Sequence, residues 1–546
     1  MRSPLHFLLS FLALATGTSA QLSHPSVPAS VRAGLGTDVP TVVVPRPDVE
    51  ALLAEDLERG AFPLRYGAVL PLALSIDTDG RWDETEDSYV WRVEVHSPGA
   101  FSLGLQFGTF DLPPSGELFV TTPDRSIRFG AYRSDVALPD GSLPIQPLAG
   151  QRAVIEYVQP KSEPGAPRLA LESVVYDYRD VFALARTPSV PSMRSQVCLV
   201  DVNCPEGAPY QDIKNAVVGL YRGGFVCSGS MLNNSANDGT PYMLTADHCG
   251  DMTGAVVAFH YERTGCGSGS STNQMTVAGA TLLAKSNLYD SQLYLLNQAP
   301  PRSYSPYYAG WDRGQSQNGP MISISHPAGN PKKIAIANSD PIDSGTQWAA
   351  QWDVGVIQGG SSGSPLFNGS GRVVGPACCV SNFTCGNQIA YYGKLQRFYN
   401  SKNLGVWLDP RGKGFGRIDG YDPFAPVAEV ENGSGANPQI LSSALPALGS
   451  AWSATVDASA FPQATSTTLL GTLGASSGTF VAAGELLLDF GTPTILRSNA
   501  PVSGGSSVHT GTIPNDPTLE GLESHIQAVL LGGSAQLTNA VRLVVN

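Results

Sequence analysis

The sequence has few charged residues, and basic ones are scarcer than acidic ones. Lys and Arg number 33 against 46 Asp and Glu, which gives a formal net charge of -13, and charged residues make up only 14% of the chain. Binding to nucleic-acid phosphates requires clustered Lys and Arg, and the sequence has no such cluster. Composition therefore argues against a nucleic-acid partner.

Long apolar runs are also missing beyond the start of the chain. A membrane-spanning helix needs about 20 apolar residues, and no later stretch approaches that length. At the start, Arg2 precedes an apolar run from Phe7 to Ala15, and small residues follow as far as Ala20. This order is typical of a secretory signal peptide. We predict a signal peptide at residues 1–20, a protein that is secreted to the medium or the cell surface, and no membrane span.

The common metal-binding patterns do not occur. The chain has no C-x-x-C pair and no H-E-x-x-H motif, so we expect no metal site and no cofactor. All eight cysteines lie between Cys198 and Cys385. In an exported protein, this predicts disulfides confined to one segment of the chain.

The length of 546 residues predicts more than one domain. Residues 21–192 contain one predicted helix, Asp48–Arg59, which Asp48 could cap, and then alternating strands separated by Pro and Gly turns, as in a β-sandwich. The stretch 185–195, with Arg186 and Arg194, has the composition of an exposed, cleavable linker. We therefore interpret residues 21–192 as a β-rich pro-region; the alternative is an accessory binding domain.

Residues 424–546 are rich in Ser, Thr, Ala and Gly and contain no cysteine. Strand-like stretches at 485–490 and 541–545 predict a small β-domain rather than disorder. Its role is either sorting and surface attachment or passive stabilisation. The segment between these flanks, residues 193–423, carries the candidate chemistry.

Three motifs follow one another in this central segment. His248 ends the apolar run Tyr242–Thr245, Asp290 opens a strand-like stretch, and Ser362 lies in a run of glycine and serine from Gly359 to Ser364. Each has an ordinary interpretation alone: a structural histidine, a solvated aspartate and a flexible linker. A serine held among glycines can expose its hydroxyl while backbone amides converge on one point, and it needs a base to become a nucleophile.

These motifs resemble those of the chymotrypsin-like serine peptidases. The histidine motif is Thr245-Ala246-Asp247-His248-Cys249, and the serine motif is Gly360-Ser361-Ser362-Gly363-Ser364-Pro365. Three further stretches resemble the bacterial lysyl endopeptidase branch: 198–207, 309–312 and 407–410. The resemblance spans roughly Cys198 to Asp422. It implies an all-β protein with two antiparallel six-stranded β-barrels and the site between them, flanked by β-sandwich-like N- and C-terminal domains.

The resemblance also implies roles for individual residues. Ser362 would be the nucleophile, His248 the base and Asp290 the group that fixes the histidine tautomer. The backbone amides of Gly360 and Ser362 would form the oxyanion hole. Asp312 and Asp353 are the alternatives to Asp290. Protein or peptide substrates would be the partners.

For the cysteines, the resemblance suggests three disulfides: Cys227 with Cys249, Cys204 with Cys266, and Cys198 with Cys385. Cys378 and Cys379 have no counterpart in the family pattern. They are either a vicinal disulfide or free thiols.

The sequence departs from the family at two functional positions. In the specificity pocket, Ala390 stands where lysyl endopeptidases carry an aspartate, and Val356 stands where trypsin-like enzymes carry one. We therefore predict an apolar or aromatic residue before the cleaved bond. Ser361 stands where trypsin-like enzymes carry an aspartate that pairs with a new N-terminus, so activation would occur by removal of the pro-region.

The resulting hypothesis is a secreted serine endopeptidase made as a pro-enzyme. The alternative is a non-catalytic surface protein that uses a peptidase-like domain for binding, and the presence of His248, Asp290 and Ser362 argues against it. A cysteine nucleophile at Cys249 or Cys379 is disfavoured because neither lies in the glycine-rich loop.

Overall fold

A computed structural model of the chain describes residues 26–60, 63–180, 198–269, 271, 275–381, 387–519 and 521–546. The predicted signal peptide and the predicted linker at 185–195 lie outside these residues. The described residues form two compact units, one ending at Pro423 and the other spanning Phe424–Asn546. Within the described ranges, no helix is long and apolar enough to cross a membrane.

The first part of the first unit is a two-layer β-structure. Its helices are α1 (Ala29–Arg32) and α2 (Val49–Arg59), and its strands are β1 (Thr41–Val43), β2 (Leu64–Arg65), β3 (Gly67–Ser75), β4 (Arg81–Glu84), β5 (Ser88–His96), β6 (Ser102–Asp111), β7 (Glu117–Thr121), β8 (Arg128–Tyr132), β9 (Leu143–Ala149), β10 (Arg152–Pro160) and β11 (Arg168–Asp177). One sheet has the order β1-β5-β10-β7-β8, with β4 on β5, and the other has the order β3-β11-β6-β9.

A single apolar core joins the two layers. Alternate side chains of β5, such as Trp91 and Val93, enter it from one sheet, and Leu103 and Leu105 of β6 enter it from the other. The alternation of apolar residues that predicted these strands therefore also places every second side chain in this core. The predicted helix is also present as α2. The Asp48 side chain caps it by accepting a hydrogen bond of 3.0 Å from the backbone N–H of Ala51.

The remainder of this unit contains two larger sheets. Its helices are α3 (Gln211–Lys214), α4 (Leu395–Lys402) and α5 (Gly405–Leu408), and its strands are β12 (Val200–Asp201), β13 (Val217–Arg222), β14 (Phe225–Leu232), β15 (Tyr242–Thr245), β16 (Val256–Ala258), β17 (Thr276–Ala278), β18 (Ala280–Ser286), β19 (Ser291–Leu296), β20 (Trp311–Asp312), β21 (Met321–Ser325), β22 (Lys333–Ala337), β23 (Ile342–Ser344), β24 (Gln347–Gln351), β25 (Pro365–Phe367), β26 (Val373–Val380), β27 (Ile389–Gly393) and β28 (Arg417–Ile418). The short helix expected near residues 404–408 corresponds to α5.

The first of these sheets curves back on itself. Its strand order is β17-β16-β13-β14-β15-β19-β18, with β2 added on β14. The terminal strands β17 and β18 are separated only by Gly279, whose φ of +76° allows the chain to turn sharply there. The ends of the sheet are thus joined by the chain itself.

The second sheet has the order β12-β22-β21-β25-β26-β27-β24-β23, with β20 on β26 and β28 on β20. The prediction of an all-β protein is confirmed, but the sheets contain eight and ten strands rather than six. The excess arises because short edge strands and β2 pair onto them. Among the described strands the pairings of each sheet form an open path, so two closed barrels are not present as hydrogen-bonded rings.

The second unit is a small β-domain. Its strands are β29 (Val427–Glu431), β30 (Leu441–Ser443), β31 (Ala451–Asp457), β32 (Ser466–Thr472), β33 (Ala475–Val481), β34 (Gly484–Leu488), β35 (Thr494–Pro501), β36 (Ser506–Thr512), β37 (Glu523–Leu531) and β38 (Gln536–Val544). They form sheets with the orders β29-β38-β37-β32-β35, β30-β31-β36 and β33-β34. The core contains Trp452 and Leu469. The domain has few charged residues, but its regularly spaced apolar residues are enough to form a buried core.

Candidate active site

Strand pairing brings His248 and Asp290 together. His248 lies in a 3-10 turn, Asp247–Cys249, just after β15, and Asp290 lies just before β19. These two strands are antiparallel neighbours, with Thr245 opposite Gln292, so the end of one meets the start of the other. The Nδ1 atom of His248 lies 2.7 Å from Oδ2 of Asp290, and the backbone N–H of His248 donates to Oδ1 at 2.9 Å.

The surroundings of Asp290 keep its carboxylate ionised. Burial alone would raise its pKa, but hydrogen bonds from the His248 ring and backbone, the charge of His248, and a hydrogen bond from Cys378 together hold the pKa below its usual value. An ionised carboxylate only accepts hydrogen bonds, so Nδ1 of His248 carries the hydrogen and Nε2 is the basic nitrogen.

The loop that carries Ser362 contacts the loop that carries His248. The disulfide Cys227–Cys249 fixes the residue after the histidine to β14. The Cys249 sulfur lies 3.7 Å from the carbonyl oxygen of Ser362, and the backbone N–H of Ser228 donates to the same oxygen at 2.8 Å. A disulfide and a backbone hydrogen bond therefore hold the two loops together.

Ser362 lies between two glycines with positive φ, +96° at Gly360 and +81° at Gly363. A Cβ atom at Gly360 would lie 2.6 Å from the carbonyl oxygen of His326, and one at Gly363 would lie 2.1 Å from Oγ1 of Thr245. Both positions therefore require glycine. Within the described part of the chain, the buried hydroxyl of Ser362 has no hydrogen-bond partner.

The peptide group between Gly359 and Gly360 is held by a hydrogen bond to the backbone of Ala328. The carbonyl of Gly359 accepts a hydrogen bond of 2.6 Å from the backbone N–H of Ala328. In a trans peptide the C=O and N–H point in opposite directions, so the N–H of Gly360 points away from Ala328. Among the described residues, the amides of Gly360 and Ser362 donate to no backbone or side-chain group, in contrast to those of Ser361 and Gly363.

The residues predicted to form the specificity pocket are buried and apolar. Val356 is 2% exposed and Ala390 is fully buried, and Ala390 pairs with Ala350 of the neighbouring strand. Asp353 is exposed, and its Oδ2 accepts a hydrogen bond of 2.7 Å from the backbone N–H of Asn338. The carboxylate of Asp353 is therefore occupied in holding a loop.

Asp312, the other alternative to Asp290, also stabilises a turn. Its Oδ1 accepts hydrogen bonds from the backbone N–H of Gly314 at 2.7 Å and from the amide of Gln317 at 3.2 Å. Of the three candidate aspartates, Asp290 is the one that the structure brings against His248.

Residues 193–393 match the family described as "Lysyl endopeptidase, C-terminal domain". The lysyl endopeptidase of Pseudomonas aeruginosa is 28% identical over 350 residues, a region that covers 57% of this chain and 72% of that protein. The chain is a serine endopeptidase related to the lysyl endopeptidases.

Solved structures of proteases match part of this chain. An inactivated protease paralogue from the scabies mite matches 36% of this chain and 96% of its own, with 16% identity and a TM-score of 0.27. A serine endoprotease from Yersinia pestis matches 41% of this chain and 68% of its own, with 18% identity and a TM-score of 0.25.

Two of the three predicted disulfides of the peptidase are present, Cys227–Cys249 and Cys204–Cys266. The third prediction, Cys198–Cys385, involves Cys385, which lies outside the described residues. Cys378 and Cys379 are both thiols, which decides between the two alternatives for this pair.

The residues that anchor the glycine-rich loop through hydrogen bonds were not predicted from the sequence. The hydroxyl of Ser228 accepts from the backbone N–H of His326 at 3.0 Å and donates to the carbonyl of Gly360 at 2.9 Å. The backbone N–H of Ala328 holds Gly359. These contacts join β14 and the turn after β21 to the glycine-rich loop, and backbone contacts between distant segments leave no pattern in the sequence.

Proposed function

We propose that the protein is a secreted serine endopeptidase, made as a pro-enzyme, in which Ser362, His248 and Asp290 form the catalytic triad. The observation that carries this proposal is the double hydrogen bond between His248 and Asp290 in a turn that the Cys227–Cys249 disulfide holds against the Ser362 loop. Its substrates are proteins or peptides.

In the proposed reaction, Nε2 of His248 takes the proton of the Ser362 hydroxyl as Oγ attacks the substrate carbonyl. The negative charge that develops on the carbonyl oxygen is stabilised by the backbone N–H groups of Gly360 and Ser362. His248 then gives the proton to the leaving amine, which leaves an acyl group on Ser362. Water, activated by the same histidine, hydrolyses this acyl-enzyme. Asp290 fixes the tautomer of His248 throughout.

Secretion and zymogen activation belong to the same proposal. The disulfides Cys204–Cys266 and Cys227–Cys249 are typical of an exported protein. We assign residues 1–20 to a signal peptide, 21–192 to the pro-region, 193–423 to the peptidase and 424–546 to a C-terminal accessory or sorting domain. The pro-region has a direct contact with the peptidase, because Leu64 and Arg65 of β2 pair with β14.

Activation would not use the trypsin-type insertion of a new N-terminus. The position for the required aspartate is Ser361, whose hydroxyl lies 2.9 Å from that of Ser325 and accepts from the backbone N–H of Gln358 at 3.2 Å. A neutral side chain in a local hydrogen-bond network provides no charge for a terminal amine. Proteolytic removal of residues 21–192 would expose the active enzyme.

A fluorophosphonate probe tests the proposed function directly. We expect it to label the processed protein at a single serine, identified as Ser362 by mass spectrometry of the labelled peptide, because only an activated hydroxyl reacts with it. Heat-denatured protein serves as the control. Absence of labelling in folded, processed protein would favour the non-catalytic binding alternative.

We further propose that the peptidase prefers an apolar or aromatic residue before the cleaved bond. A buried, unpaired ammonium costs roughly several kcal/mol, which is enough to reverse a preference for lysine. Val356 and Ala390 provide no carboxylate, and Asp353 is exposed and bonded to Asn338. Cleavage of a whole-proteome peptide mixture should therefore give few cuts after Lys or Arg.

The Asp353→Ala variant is the matched control for this specificity test. If the pocket is apolar, the variant and the wild type should produce the same cleavage profile. Predominant cleavage after lysine in the wild type would refute the prediction, and its loss in Asp353→Ala would identify Asp353 as the specificity residue.

A further inference from the structure

A turn at residues 326–330, directly after β21, packs against the glycine-rich loop. The backbone N–H of Ala328 donates to the carbonyl oxygen of Gly359 at 2.6 Å. A Cβ atom at Gly360 would lie 2.6 Å from the carbonyl oxygen of His326 and 3.2 Å from the backbone nitrogen of Ala328. The 326–330 turn therefore contacts the peptide group whose N–H is proposed to stabilise the negative oxygen of the reaction.

This turn has a backbone conformation that needs support. Ala328 has a φ of +52° and Gly329 a φ of +70°, a region that is disfavoured for a residue with a Cβ atom. The backbone N–H of Gly329 donates to the carbonyl of His326 at 3.1 Å. The carbonyl of Pro327 accepts from the backbone N–H of Asn330 at 3.0 Å and from the side-chain amide of the same residue at 2.8 Å.

The ring of His326 links the first residue of the turn to the last. Its Nδ1 atom lies 3.0 Å from the carbonyl oxygen of Asn330. Because a carbonyl oxygen only accepts hydrogen bonds, Nδ1 carries the hydrogen. The ring stacks on that of Tyr261, with centroids 5.6 Å apart and an interplanar angle of 13°. The stack and the hydrogen bond together fix the orientation of the ring.

The backbone of the same residue faces the glycine-rich loop. The backbone N–H of His326 donates to Oγ of Ser228 at 3.0 Å, and this hydroxyl donates to the carbonyl of Gly360 at 2.9 Å. His326 therefore connects the conformation of the turn to that of the loop. A change at its ring should be transmitted to Gly360 through these short contacts.

The burial of His326 suits it to positioning rather than to proton transfer. The side chain is fully buried, and its Nε2 atom has no hydrogen-bond partner within the part of the chain that the structure describes. Burial, reinforced by the positive charge of Lys332, lowers the pKa of His326 to about 3. The ring is therefore neutral at neutral pH and keeps its one hydrogen on Nδ1.

We propose that His326 is a positioning residue of the oxyanion hole. Its ring keeps the turn in the conformation in which Ala328 holds Gly359 and the carbonyl of His326 lies against Gly360. Without the ring the turn would relax, and the N–H of Gly360 would no longer lie where the negative charge develops. This inference rests on the proposed triad and oxyanion hole.

His326→Ala removes the ring and its hydrogen bond to Asn330. We expect kcat to fall about 10- to 100-fold with little change in KM, because loss of one oxyanion donor in another peptidase costs roughly 10² to 10³ and displacement of a donor should cost less. Rates are divided by the amount of Ser362 that a fluorophosphonate labels at completion. This correction removes the contribution of any misfolded fraction.

Two amide variants keep the inference testable if His326→Ala does not fold. In His326→Asn, the side-chain NH₂ can take the place of the Nδ1 hydrogen and donate to the carbonyl of Asn330, so most of kcat should be retained. In His326→Gln, the NH₂ extends toward the place of Nε2, where the described residues offer no acceptor. We expect this variant to lose about tenfold or more in kcat. The two variants differ by a single methylene group.

A peptide trifluoromethyl ketone, matched in sequence to the substrate, measures the oxyanion hole itself. Oγ of Ser362 adds to its carbonyl carbon, the π electrons of the carbonyl move to the oxygen, and the hydroxyl proton passes to Nε2 of His248. The adduct thus carries a negative oxygen in the proposed hole. Its inhibition constant should rise in each His326 variant by about the factor by which kcat/KM falls. A merely structural role would not produce this match.

His260→Asn is the matched control. Nε2 of His260 also bonds a backbone carbonyl, that of Tyr304, and this hydrogen bond does not involve the glycine-rich loop. Asparagine tolerates the φ of +51° at this position. We expect kcat and the inhibition constant of the ketone to stay within a few-fold of the wild type.

The outcomes distinguish this inference from the proposed function. If Ser362 is not labelled in the wild type, the proposed triad is wrong and the inference falls with it. If Ser362 is labelled, the inference is overturned by any of three results: wild-type kcat per labelled site in His326→Ala, a fall in kcat without a rise in the inhibition constant of the ketone, or equal kcat values for His326→Asn and His326→Gln.

Discussion

Ser362→Ala is expected to lower kcat by a factor on the order of 10⁶, the size of effect seen when the nucleophile of another serine peptidase is removed. The substitution deletes one hydroxyl that has no hydrogen-bond partner among the described residues, so it removes the proposed nucleophile without removing a stabilising contact. The free energy of unfolding should change little. The measurements are kcat on a peptide substrate of the processed enzyme and thermal unfolding of the same sample.

Ser364→Ala is a suitable control for this variant. Ser364 is fully buried on the same loop, and its hydroxyl lies 3.3 Å from that of Ser323. It should alter stability slightly and leave most of the activity. If Ser362→Ala retained wild-type turnover on any peptide, Ser362 would not be the nucleophile, and equal inactivity of Ser364→Ala would show that the loop is sensitive to any substitution.

Asp290→Asn should lower kcat by about 10⁴-fold. The asparagine can still accept the hydrogen bond from the backbone N–H of His248, which is 2.9 Å long in the wild type, so the turn should remain in place. Its NH₂ group, however, would face Nδ1 of the ring, which lies 2.7 Å from Oδ2 in the wild type. It would therefore favour the tautomer with the hydrogen on Nε2. That nitrogen could then no longer take the proton of Ser362.

The matched control is Asp247→Asn, in the same turn as the histidine. The Asp247 carboxylate accepts a hydrogen bond of 2.9 Å from the amide of Gln292 rather than from the His248 ring. We expect this variant to lose no more than a few-fold in kcat. Equal losses in the two variants would show that the turn is merely sensitive to substitution and that Asp290 has no special role.

The predicted helix and strands show why local structure could be deduced from the chain. Asp48 caps α2 through a hydrogen bond to a residue three positions away, and the alternation of apolar residues in β5 depends only on neighbours along the same strand. Both signals are local in sequence. The two large sheets exceed the six strands that the resemblance implies, because short strands such as β2 and β12 pair onto them.

Contacts between residues that are far apart in the chain could not be deduced in this way. The backbone N–H of Ala328 holds Gly359 only because the turn after β21 lies beside the glycine-rich loop, and the Ser228 hydroxyl holds Gly360 only because β14 passes behind that loop. Neither residue belongs to a motif. Their effects depend on the register and curvature of the sheets, which side-chain order along the chain does not encode in any simple way.

By itself, the sequence determined the class of protein, the two motifs with His248 and Ser362, and the absence of a carboxylate at Val356 and Ala390, because each depends on residue identity at known spacings. The tertiary structure decided which aspartate meets the histidine. Asp290, Asp312 and Asp353 are chemically identical, but Asp290 alone of the three lies where β15 ends beside the start of β19, while backbone amides occupy the carboxylates of the other two. Hydrogen bonds act over about 3 Å, so the choice between identical side chains depends on which strands pair.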